Sequence, residues 1–439
     1  MAFDVLIEFF QCSFPPTTLE SLRIVKKMQP ESLMMTHGYV PEWSENAVKC
    51  PIYQTSTFVF PNAEAGKRFF ALAYGKTEAL HGEQPGLIYS RLNNPNLQIL
   101  EERLALWEEA DGAAVFESGM SAISTVFLTF LKPGDRLLIS NPVYGGTHHF
   151  VHHYLPSIGV HVEHFTAETD LKSLKEELCQ PGRGEEIKLI YAETPANPTN
   201  DVIDLEALGQ LKKALMEAHK TEVRMAVDNT YLGPIWQKPM EWGADMSCYS
   251  ATKFLSGHSD LIAGAVTGTA ESIQAIKTLR TFLGNMASPN TCWLLTRSLE
   301  TLKIRMTRQS ENALHVVRFL ESHPKVTRVY FPGWPSQGSD QMAIHQKQSA
   351  SHGAMISFDV QGGESSAFTV LNNVLLIKLA VSLGSNESLA QHPYHMTHAD
   401  MPDDEKESLR LTDAMIRLSV GIEDPEDLIQ DLRQALDLV

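Results

Sequence analysis

Short apolar runs alternate with amphipathic stretches through the first two thirds of the chain. In residues 96–110, apolar side chains recur every three or four positions, at Leu97, Leu100, Leu104 and Trp107, which is the spacing of one helix face. Similar helical patterns lie at 117–130, 205–217 and 272–283, and short apolar runs typical of buried strands lie at 113–116, 135–140, 188–192 and 223–227. This alternation predicts βαβ units, and therefore an α/β fold with a mostly parallel sheet.

The last third of the chain has a different pattern. Residues 289–310 predict one long helix that joins two domains, and strand-like runs follow at 354–360, 379–385 and 416–421. Such a mixture predicts a smaller C-terminal α+β domain. The expected domains are an N-terminal extension and arm (1–67), a large α/β domain (68–290) and the C-terminal domain (291–439).

The N-terminal region is less regular. Residues 1–35 carry little pattern apart from a short helix predicted at 20–27, whereas 49–60 alternates apolar and hydroxylated residues and is expected to be extended. Residues 68–83 resemble an insert formed by a helix and a loop.

Composition excludes several classes of protein. The chain has 439 residues, enough for two domains around a large core, and a net charge of −17, which argues against nucleic acid or an acidic membrane surface as a partner. No apolar run approaches the length of a membrane span, and no basic segment of a signal peptide is found. The five cysteines are widely spaced and form no CxxC, which is typical of reduced thiols. We expect a cytoplasmic protein.

The stretch 223–268 carries the strongest chemical signal. Asp228 ends an apolar strand, and Lys253 follows a second short strand among small and hydroxylated residues. A lysine in such a recess has a lowered pKa and forms a Schiff base with a carbonyl cofactor. Pyridoxal phosphate (PLP) also needs an acid at its pyridinium nitrogen and donors for its phosphate. Asp228 supplies the acid, and Ser250 and Thr252 supply donors on either side of Lys253.

Other turns offer groups that suit the same cofactor. Ser118, Gly119 and Met120 connect a strand to a helix, where free backbone N–H groups form an anion site. Tyr144 ends another strand, where a ring stacks on a planar ligand or packs in a loop. Tyr89 and Arg91 lie two apart on a segment expected to be extended, which places a phenol and a guanidinium on one side for a phosphate.

Two residues suit an amino-acid ligand. Pro195 and Pro198 fix an extended turn that aims the amide of Asn197. Arg417 lies inside an apolar strand, where an unpaired charge is costly. A buried arginine is usually a structural residue paired with an acid, and the alternative is that it binds a ligand carboxylate.

Together these motifs resemble the PLP-dependent Cys/Met metabolism (trans-sulfuration) family. The resemblance rests on Asp228-Asn229-Thr230, on 249–254 (YSATKF) and on 257–260 (GHSD), and it extends from about His37 to about Pro425. It implies the fold type I architecture of PLP-dependent transferases and PLP as the cofactor. It also implies a homotetramer built from dimers that share active sites.

The resemblance assigns a role to each site residue. Lys253 holds the cofactor and removes the α-proton, Asp228 keeps the pyridinium protonated, and Tyr144 covers the ring and handles a proton at the leaving group. Tyr89 and Arg91 bind the phosphate from the adjacent subunit, together with the loop 118–120 and the hydroxyls of Ser250 and Thr252. The α-carboxylate of the substrate is bound by Arg417, helped by Ser382 and by Asn197, which also contacts the 3-oxygen of the cofactor.

The histidines carry no predicted metal site. His148, His149, His152 and His153 have an i, i+4 spacing suited to a metal, but no carboxylate or cysteine lies near them in the sequence. They are interpreted as helix-surface histidines, and His392, His395 and His398 are placed in a loop, again not as ligands. The first strand is followed by no GxGxxG, so a nicotinamide cofactor has little support.

The resemblance implies a carbon–sulfur lyase, and α,γ-elimination of L-methionine to methanethiol, ammonia and 2-oxobutyrate is the favoured reaction. The segment Gln391-His392-Pro393 is similar to methionine γ-lyases, whereas Gly146 stands where those enzymes usually carry cysteine and is similar to the cystathionine enzymes. Two alternatives within the family are cystathionine γ-lyase and a γ-replacement enzyme, either cystathionine γ-synthase or O-acylhomoserine sulfhydrylase. A non-catalytic PLP-binding protein is a further alternative. The presence of Lys253, Asp228, Tyr144 and Arg417 argues against it, because a protein that only binds PLP does not need an arginine for a substrate carboxylate.

Overall fold

The computed structural model describes residues 28–78, 80, 86–399 and 401–439. The short helix predicted at 20–27, and residues 79 and 81–83 of the expected insert, lie outside this part of the chain. Within it, the strands are β1 (Gly112–Phe116), β2 (Arg136–Ser140), β3 (His161–Phe165), β4 (Ile187–Glu193), β5 (Arg224–Asp228), β6 (Met246–Tyr249), β7 (Gly264–Gly268), β8 (Val326–Tyr330), β9 (Met355–Val360), β10 (Lys378–Leu379), β11 (Leu389–Gln391) and β12 (Met415–Ser419).

The helices of the described residues surround these strands. The α-helices are Pro30–Leu33, Ala63–Ala73, Pro95–Glu108, Gly119–Phe130, Gly145–His149, Leu155–Ser157, Leu171–Leu178, Leu205–His219, Gly233–Trp236, Ala270–Leu283, Pro289–Leu299, Leu302–Ser322, Ser339–Gln348, Gly363–Asn373, Asp403–Ser408 and Pro425–Leu436. Short 3₁₀ turns lie at Pro41–Ser44, Pro239–Trp242 and Pro335–Gln337, and a π-helical turn lies at Phe150–Tyr154.

The larger sheet has the strand order β1-β7-β6-β5-β4-β2-β3 and is parallel except where β7 pairs with β1 and β6. Its central strands are buried except for Lys188 and Arg224, which are partly exposed, because helices cover both faces of the sheet. Parallel strands end at the same edge, so β4 and β5 deliver Glu193 and Asp228 side by side. The predicted α/β fold with a mostly parallel sheet is confirmed.

The smaller sheet has the order β10-β11-β12-β9-β8 and is antiparallel except between β10 and β11. One large core cluster includes residues from distant parts of the chain, among them Met34, Phe254 and Leu436. The sequence boundaries at 67/68 and 290/291 stay predictions. None of the helices in the described residues has the length and apolar character that a membrane crossing requires.

Three local predictions are wrong in detail. The helix predicted at 289–310 is two helices that meet at Glu300 and Thr301, where the Arg305 guanidinium bonds Thr301 Oγ1 and the Ser298 carbonyl oxygen and stabilises the break. The expected insert helix begins earlier, at Ala63, because the Asn62 side chain caps it through the N–H of Ala65.

The third error concerns the strand predicted at 379–385, where only Lys378 and Leu379 pair as a strand. After Ala380 the backbone leaves the sheet, and the carbonyl oxygens of Val381 and Ser382 accept hydrogen bonds from Arg417 instead. These two carbonyl oxygens therefore bond the buried Arg417 guanidinium and not a neighbouring strand. The apolar pattern of the sequence does not indicate this change of partner.

Candidate active site

A cavity of about 270 Å³ opens where the parallel strands of the larger sheet end. The candidate residues that line it are Ser118, Gly119, Met120, Tyr144, Asn197, Asp228, Ser250, Thr252, Lys253 and Arg417. These side chains come from β5, the turn after β6, the turn before the Gly119–Phe130 helix and β12, so the fold assembles them from distant parts of the sequence.

Lys253 lies in the turn that follows β6 and is largely buried. Burial lowers the pKa of its amine to about 8, and the nearby charge of Arg417 acts in the same direction. Lys253 Nζ donates a hydrogen bond to Ser382 Oγ at 3.1 Å. The segment that carries Ser382 approaches closely because Gly384 has a positive φ of 78°, and a Cβ there would lie 2.7 Å from the backbone nitrogen of Phe254. Lys253 is therefore a recessed amine that is readily neutral.

Asp228 ends β5 at the floor of the cavity and is 5% exposed. Its Oδ1 accepts hydrogen bonds from Thr230 N at 3.1 Å and Thr230 Oγ1 at 2.5 Å, and its Oδ2 accepts one from Tyr191 at 3.2 Å. Burial raises the pKa of Asp228, and the bonds from Thr230 and Tyr191 oppose that rise. Thr230 Oγ1 also accepts the Ser250 N–H, so it links the acid to the lysine turn.

Glu193 is a cavity residue that the sequence did not single out. It ends β4 in register with Asp228, and its two oxygens accept the backbone N–H groups of Tyr144 at 2.7 Å and Asn197 at 2.9 Å. Burial and the neighbouring charge of Asp228 raise the pKa of Glu193 to about 8. Glu193 therefore positions two candidate residues. Its place at the end of an apolar strand was the available signal in the sequence.

The first turn of the Gly119–Phe130 helix faces the same cavity, and its N-terminal N–H groups form a site for an anion. Ser118 is engaged as the helix cap, because its Oγ accepts the Ser121 N–H at 3.0 Å. The Thr252 hydroxyl donates to the Ala263 carbonyl oxygen at 3.1 Å. Backbone N–H groups and the Ser250 hydroxyl are therefore the main donors that one chain offers to a phosphate.

Tyr89 and Arg91 do not line this cavity within one chain. The segment is not extended as predicted, because the N–H groups of Leu92 and Asn93 both bond the Tyr89 carbonyl oxygen and close a turn. The Arg91 guanidinium nevertheless lies 5.9 Å from the centre of the Tyr89 ring. Tyr89 is 42% exposed, and Arg91 Nη1 donates to the Thr281 carbonyl oxygen at 2.7 Å. Both side chains lie at the surface of the chain.

Arg417 lies on β12 and is 3% exposed. Its Nη1 donates to Asn197 Oδ1 at 3.0 Å, and its Nη2 donates to two carbonyl oxygens, of Val381 at 3.0 Å and Ser382 at 3.1 Å. With its amide oxygen turned toward Arg417, Gln391 accepts from both nitrogens at 3.1 and 3.2 Å. Within the described residues Arg417 forms no ion pair with a carboxylate, and its buried Nε lacks a partner.

The interpretation of His148 as a helix-surface histidine is wrong, whereas His392, His395 and His398 lie in a loop as predicted. His148, His392 and His398 are buried, and Glu405 Oε1 lies 3.0 Å from His148 Nε2. Glu405 is 257 positions away in the sequence, so local spacing gave no sign of the carboxylate.

The cavity fits PLP in each of its parts. A recessed amine with a lowered pKa at Lys253 suits the aldehyde, the Asp228 carboxylate suits the ring nitrogen, and the helix N-terminus beside Ser250 suits the phosphate. The half-exposed ring of Tyr144 offers a stacking face. The fold and this site together define a PLP-dependent enzyme.

Comparisons with known proteins identify the family. Residues 31–437 match the family described as Cys/Met metabolism PLP-dependent enzyme. The L-methionine gamma-lyase of Porphyromonas gingivalis is 42% identical over 420 residues, covering 93% of this chain and 99% of the relative. The cystathionine gamma-lyase of Bacillus subtilis is 36% identical over 411 residues, covering 93% of this chain and 100% of the relative. The chain belongs to the Cys/Met metabolism family of PLP-dependent enzymes.

Two solved structures agree with this assignment. Cystathionine gamma-lyase from Lactobacillus plantarum, complexed with L-serine, superposes with a TM-score of 0.81 at 32% identity, covering 93% of this chain and 99% of that structure. A cystathionine gamma synthase from Xanthomonas oryzae superposes with a TM-score of 0.82 at 32% identity, covering 93% of this chain and 98% of that structure. The predicted family, fold type I architecture and PLP cofactor are therefore confirmed.

The pKa of Lys253 leads to a first prediction. Lysine attaches to an aldehyde only as the neutral amine, so the rate at which cofactor-free protein takes up PLP should rise about tenfold per pH unit below the pKa. We expect this rise to level off near pH 8. Stopped-flow absorbance of the bound cofactor measures the rate. A rate that keeps rising toward the ordinary lysine pKa of 10.5 would show that Lys253 is not desolvated.

Proposed function

We propose that this enzyme is a carbon–sulfur lyase that converts L-methionine and water to methanethiol, ammonia and 2-oxobutyrate. The class of reaction is supported by relatives named L-methionine gamma-lyase and cystathionine gamma-lyase, which align over most of the chain. The observation that carries the choice of methionine is the apolar part of the cavity lining, to which Ile262, Val381 and Leu383 contribute.

Arg417 is proposed to bind the α-carboxylate of the substrate. A guanidinium buried among carbonyl oxygens carries a charge that these neutral partners do not balance. An incoming carboxylate balances it and accepts two parallel N–H bonds. Asn197 and Ser382 are bonded to the same arginine, so they are placed to hold it in the binding orientation.

Lys253, Asp228 and Tyr144 are proposed to carry the chemistry. When bound, PLP withdraws electrons from the α-carbon of an amino acid. Asp228 would keep the ring nitrogen protonated, and the Lys253 amine, in its neutral form, would accept the proton that leaves the α-carbon. Removal of a second proton, from the β-carbon, would then allow the bond between the γ-carbon and sulfur to break. Tyr144 is 43% exposed at the cavity and anchored through its N–H to Glu193, so its hydroxyl is placed to give a proton to the departing sulfur.

The apolar residues that line the cavity favour a small uncharged γ-substituent. Ile262 is 67% exposed and Val381 is 60% exposed, so each presents apolar surface to an incoming side chain. A methylthio group gains from this contact, whereas the second amino-acid head of cystathionine needs polar partners there.

Gly146 is the observation that favours the cystathionine enzymes. A Cβ at this position would lie 2.6 Å from the Tyr144 ring and 3.1 Å from Met120 Sδ. The Tyr144 ring therefore occupies the space in which a methionine γ-lyase usually carries a cysteine side chain. Cystathionine γ-lyase, and γ-replacement by cystathionine γ-synthase or O-acylhomoserine sulfhydrylase, remain the alternatives.

Parallel assays with three substrates separate these activities. The PLP-loaded protein is given L-methionine, L-cystathionine, or O-acetylhomoserine with a thiol, and 2-oxo acid is measured in each. We expect the highest kcat/KM for 2-oxobutyrate release with methionine. Release from cystathionine alone would assign cystathionine γ-lyase, and a thioether product only with O-acetylhomoserine would assign a γ-replacement enzyme.

We also propose that two subunits share each active site, within a homotetramer. A guanidinium and a phenol, such as those of Arg91 and Tyr89, are groups that bind phosphate. Both nevertheless lie at the surface of their own chain and do not line its cavity. The preceding arm exposes apolar side chains as well, with Val48 at 83% and Val59 at 94%, which suits contact with a second copy. The expected cytoplasmic location stays a prediction.

Complementation tests the shared site. Arg91→Ala and Lys253→Ala are each expected to be almost inactive alone, because each removes one part of every site. When the two variants are co-expressed, half of the dimers are mixed and one of their two sites is intact, so about one quarter of wild-type activity should return. Activity of the mixture that stays at the level of the single variants would contradict a shared site.

A further inference from the structure

The helical segment that follows Tyr144 brings two histidines to a carboxylate from the C-terminal part of the chain. His148 lies in the helix Gly145–His149, and His152 lies in the π-helical turn that continues it. One ligand atom from each of His148, His152 and Glu405 lies within 4.8 Å of the other two. Within the described residues, this is the one such group of three metal-ligating side chains.

The ring of His152 is oriented by a hydrogen bond from one of its nitrogens, as is usual for metal-binding histidines. Its Nδ1 donates to the His148 carbonyl oxygen at 2.9 Å, which fixes the tautomer and leaves the lone pair on Nε2. Its ring also stacks on His164, with the centres 5.0 Å apart and the planes 6° apart. The ring is thus oriented from two sides, although the side chain is exposed and open to an ion from solution.

Glu405 and His148 complete a donor set of two imidazoles and a carboxylate. Glu405 Oε1 lies 3.0 Å from His148 Nε2, and Asn141 Nδ2 donates to the same oxygen at 3.3 Å. The carboxylate is therefore fixed by a neighbour, as outer-shell partners fix metal ligands. Two histidines and a glutamate, with water in the fourth position, are a common ligand set for zinc.

We propose that His148, His152 and Glu405 form a binding site for a divalent transition-metal ion, with Zn²⁺ as the best match. The metal takes the place of the proton that His148 Nε2 shares with Glu405, and this proton is released to solvent. The ion would connect the Asp403–Ser408 helix to the segment that begins at Tyr144, whose carbonyl oxygen accepts the His148 N–H at 2.9 Å. Metal binding would thereby stabilise one wall of the cavity.

Isothermal titration of the PLP-loaded full chain with Zn²⁺ tests the site. We expect one saturable site per chain in the wild type. His152→Ala and Glu405→Gln should each weaken it by more than the roughly 10- to 100-fold that loss of an outer-shell partner costs. The matched control is His153→Ala, which removes an exposed histidine of the same turn and should leave the affinity unchanged.

Thermal unfolding provides a readout that does not depend on activity. Zn²⁺ should raise the midpoint of the wild type and of His153→Ala, and should leave that of His152→Ala and Glu405→Gln unchanged. Unfolding without metal also shows whether each variant is folded. Absence of saturable binding, or equal binding by the wild type and the two ligand variants, would overturn the proposal.

Discussion

Replacement of Lys253 by alanine is expected to abolish the absorbance of covalently bound PLP and to lower turnover by at least about 10³-fold. A positioned general acid or base contributes roughly 10²- to 10⁴-fold to a rate, and Lys253 is proposed to hold the cofactor as well as to accept the α-proton. The low pKa and the recessed position of its amine make this large effect specific to Lys253.

Two controls separate the chemical role of Lys253 from its contribution to folding. Lys132→Ala removes an exposed lysine and should change neither absorbance nor rate. Added ethylamine should restore part of the turnover of Lys253→Ala, because a small free amine enters the space that the side chain leaves. Turnover that persists in Lys253→Ala without added amine would refute the role proposed for this residue.

Replacement of Arg417 is expected to have the second-largest effect. Loss of one partner of a buried, hydrogen-bonded charge pair costs roughly 2–5 kcal/mol, so Arg417→Ala should lower kcat/KM for the amino acid by at least about 30-fold. Most of the loss should be a rise in KM. The kcat/KM of Arg417→Lys should be nearly as low as that of Arg417→Ala, because an ammonium does not reproduce the two parallel N–H bonds. The absorbance of bound PLP should remain in both variants.

A structural arginine serves as the matched control. Arg280 is 2% exposed and pairs with Glu101, so Arg280→Ala should lower the unfolding midpoint and leave KM unchanged. If Arg417→Ala behaved like Arg280→Ala, with a lower midpoint and an unchanged KM, then Arg417 would be a structural residue. That outcome would remove the main support for an amino-acid substrate in this cavity.

Local patterns were sufficient to predict most of the secondary structure and the chemical type of the site. Buried parallel strands are short apolar runs, and their helices carry an apolar face, so both are visible in a window of a few residues. Asp228 and Lys253 could be identified from the same local patterns, since Asp228 ends a strand and Lys253 lies shortly after one.

The features that sequence could not supply depend on contacts between distant segments. The pairing of Glu193 with Asp228 follows from the register of β4 and β5, and the meeting of His148 with Glu405 joins positions 257 apart. The break at Thr301 depends on the side chain of Arg305, which bonds Thr301 Oγ1 and the Ser298 carbonyl oxygen. None of these contacts leaves a periodic signal in the sequence.

The choice of substrate was also beyond local pattern. Gln391-His392-Pro393 and Gly146 favour different members of the family, and the structure explains why Gly146 matters, since the Tyr144 ring lies against it. Ile262 and Val381 are 119 positions apart in the sequence, and only the structure shows that both line the same cavity.

Product analysis with L-methionine tests the central claim most directly. The PLP-loaded enzyme is incubated with L-methionine, and methanethiol and 2-oxobutyrate are measured in the same sample. The proposed α,γ-elimination predicts that both products accumulate in equal amounts and that neither appears with Lys253→Ala. Absence of both products, from wild-type protein that retains the absorbance of bound PLP, would contradict the claim.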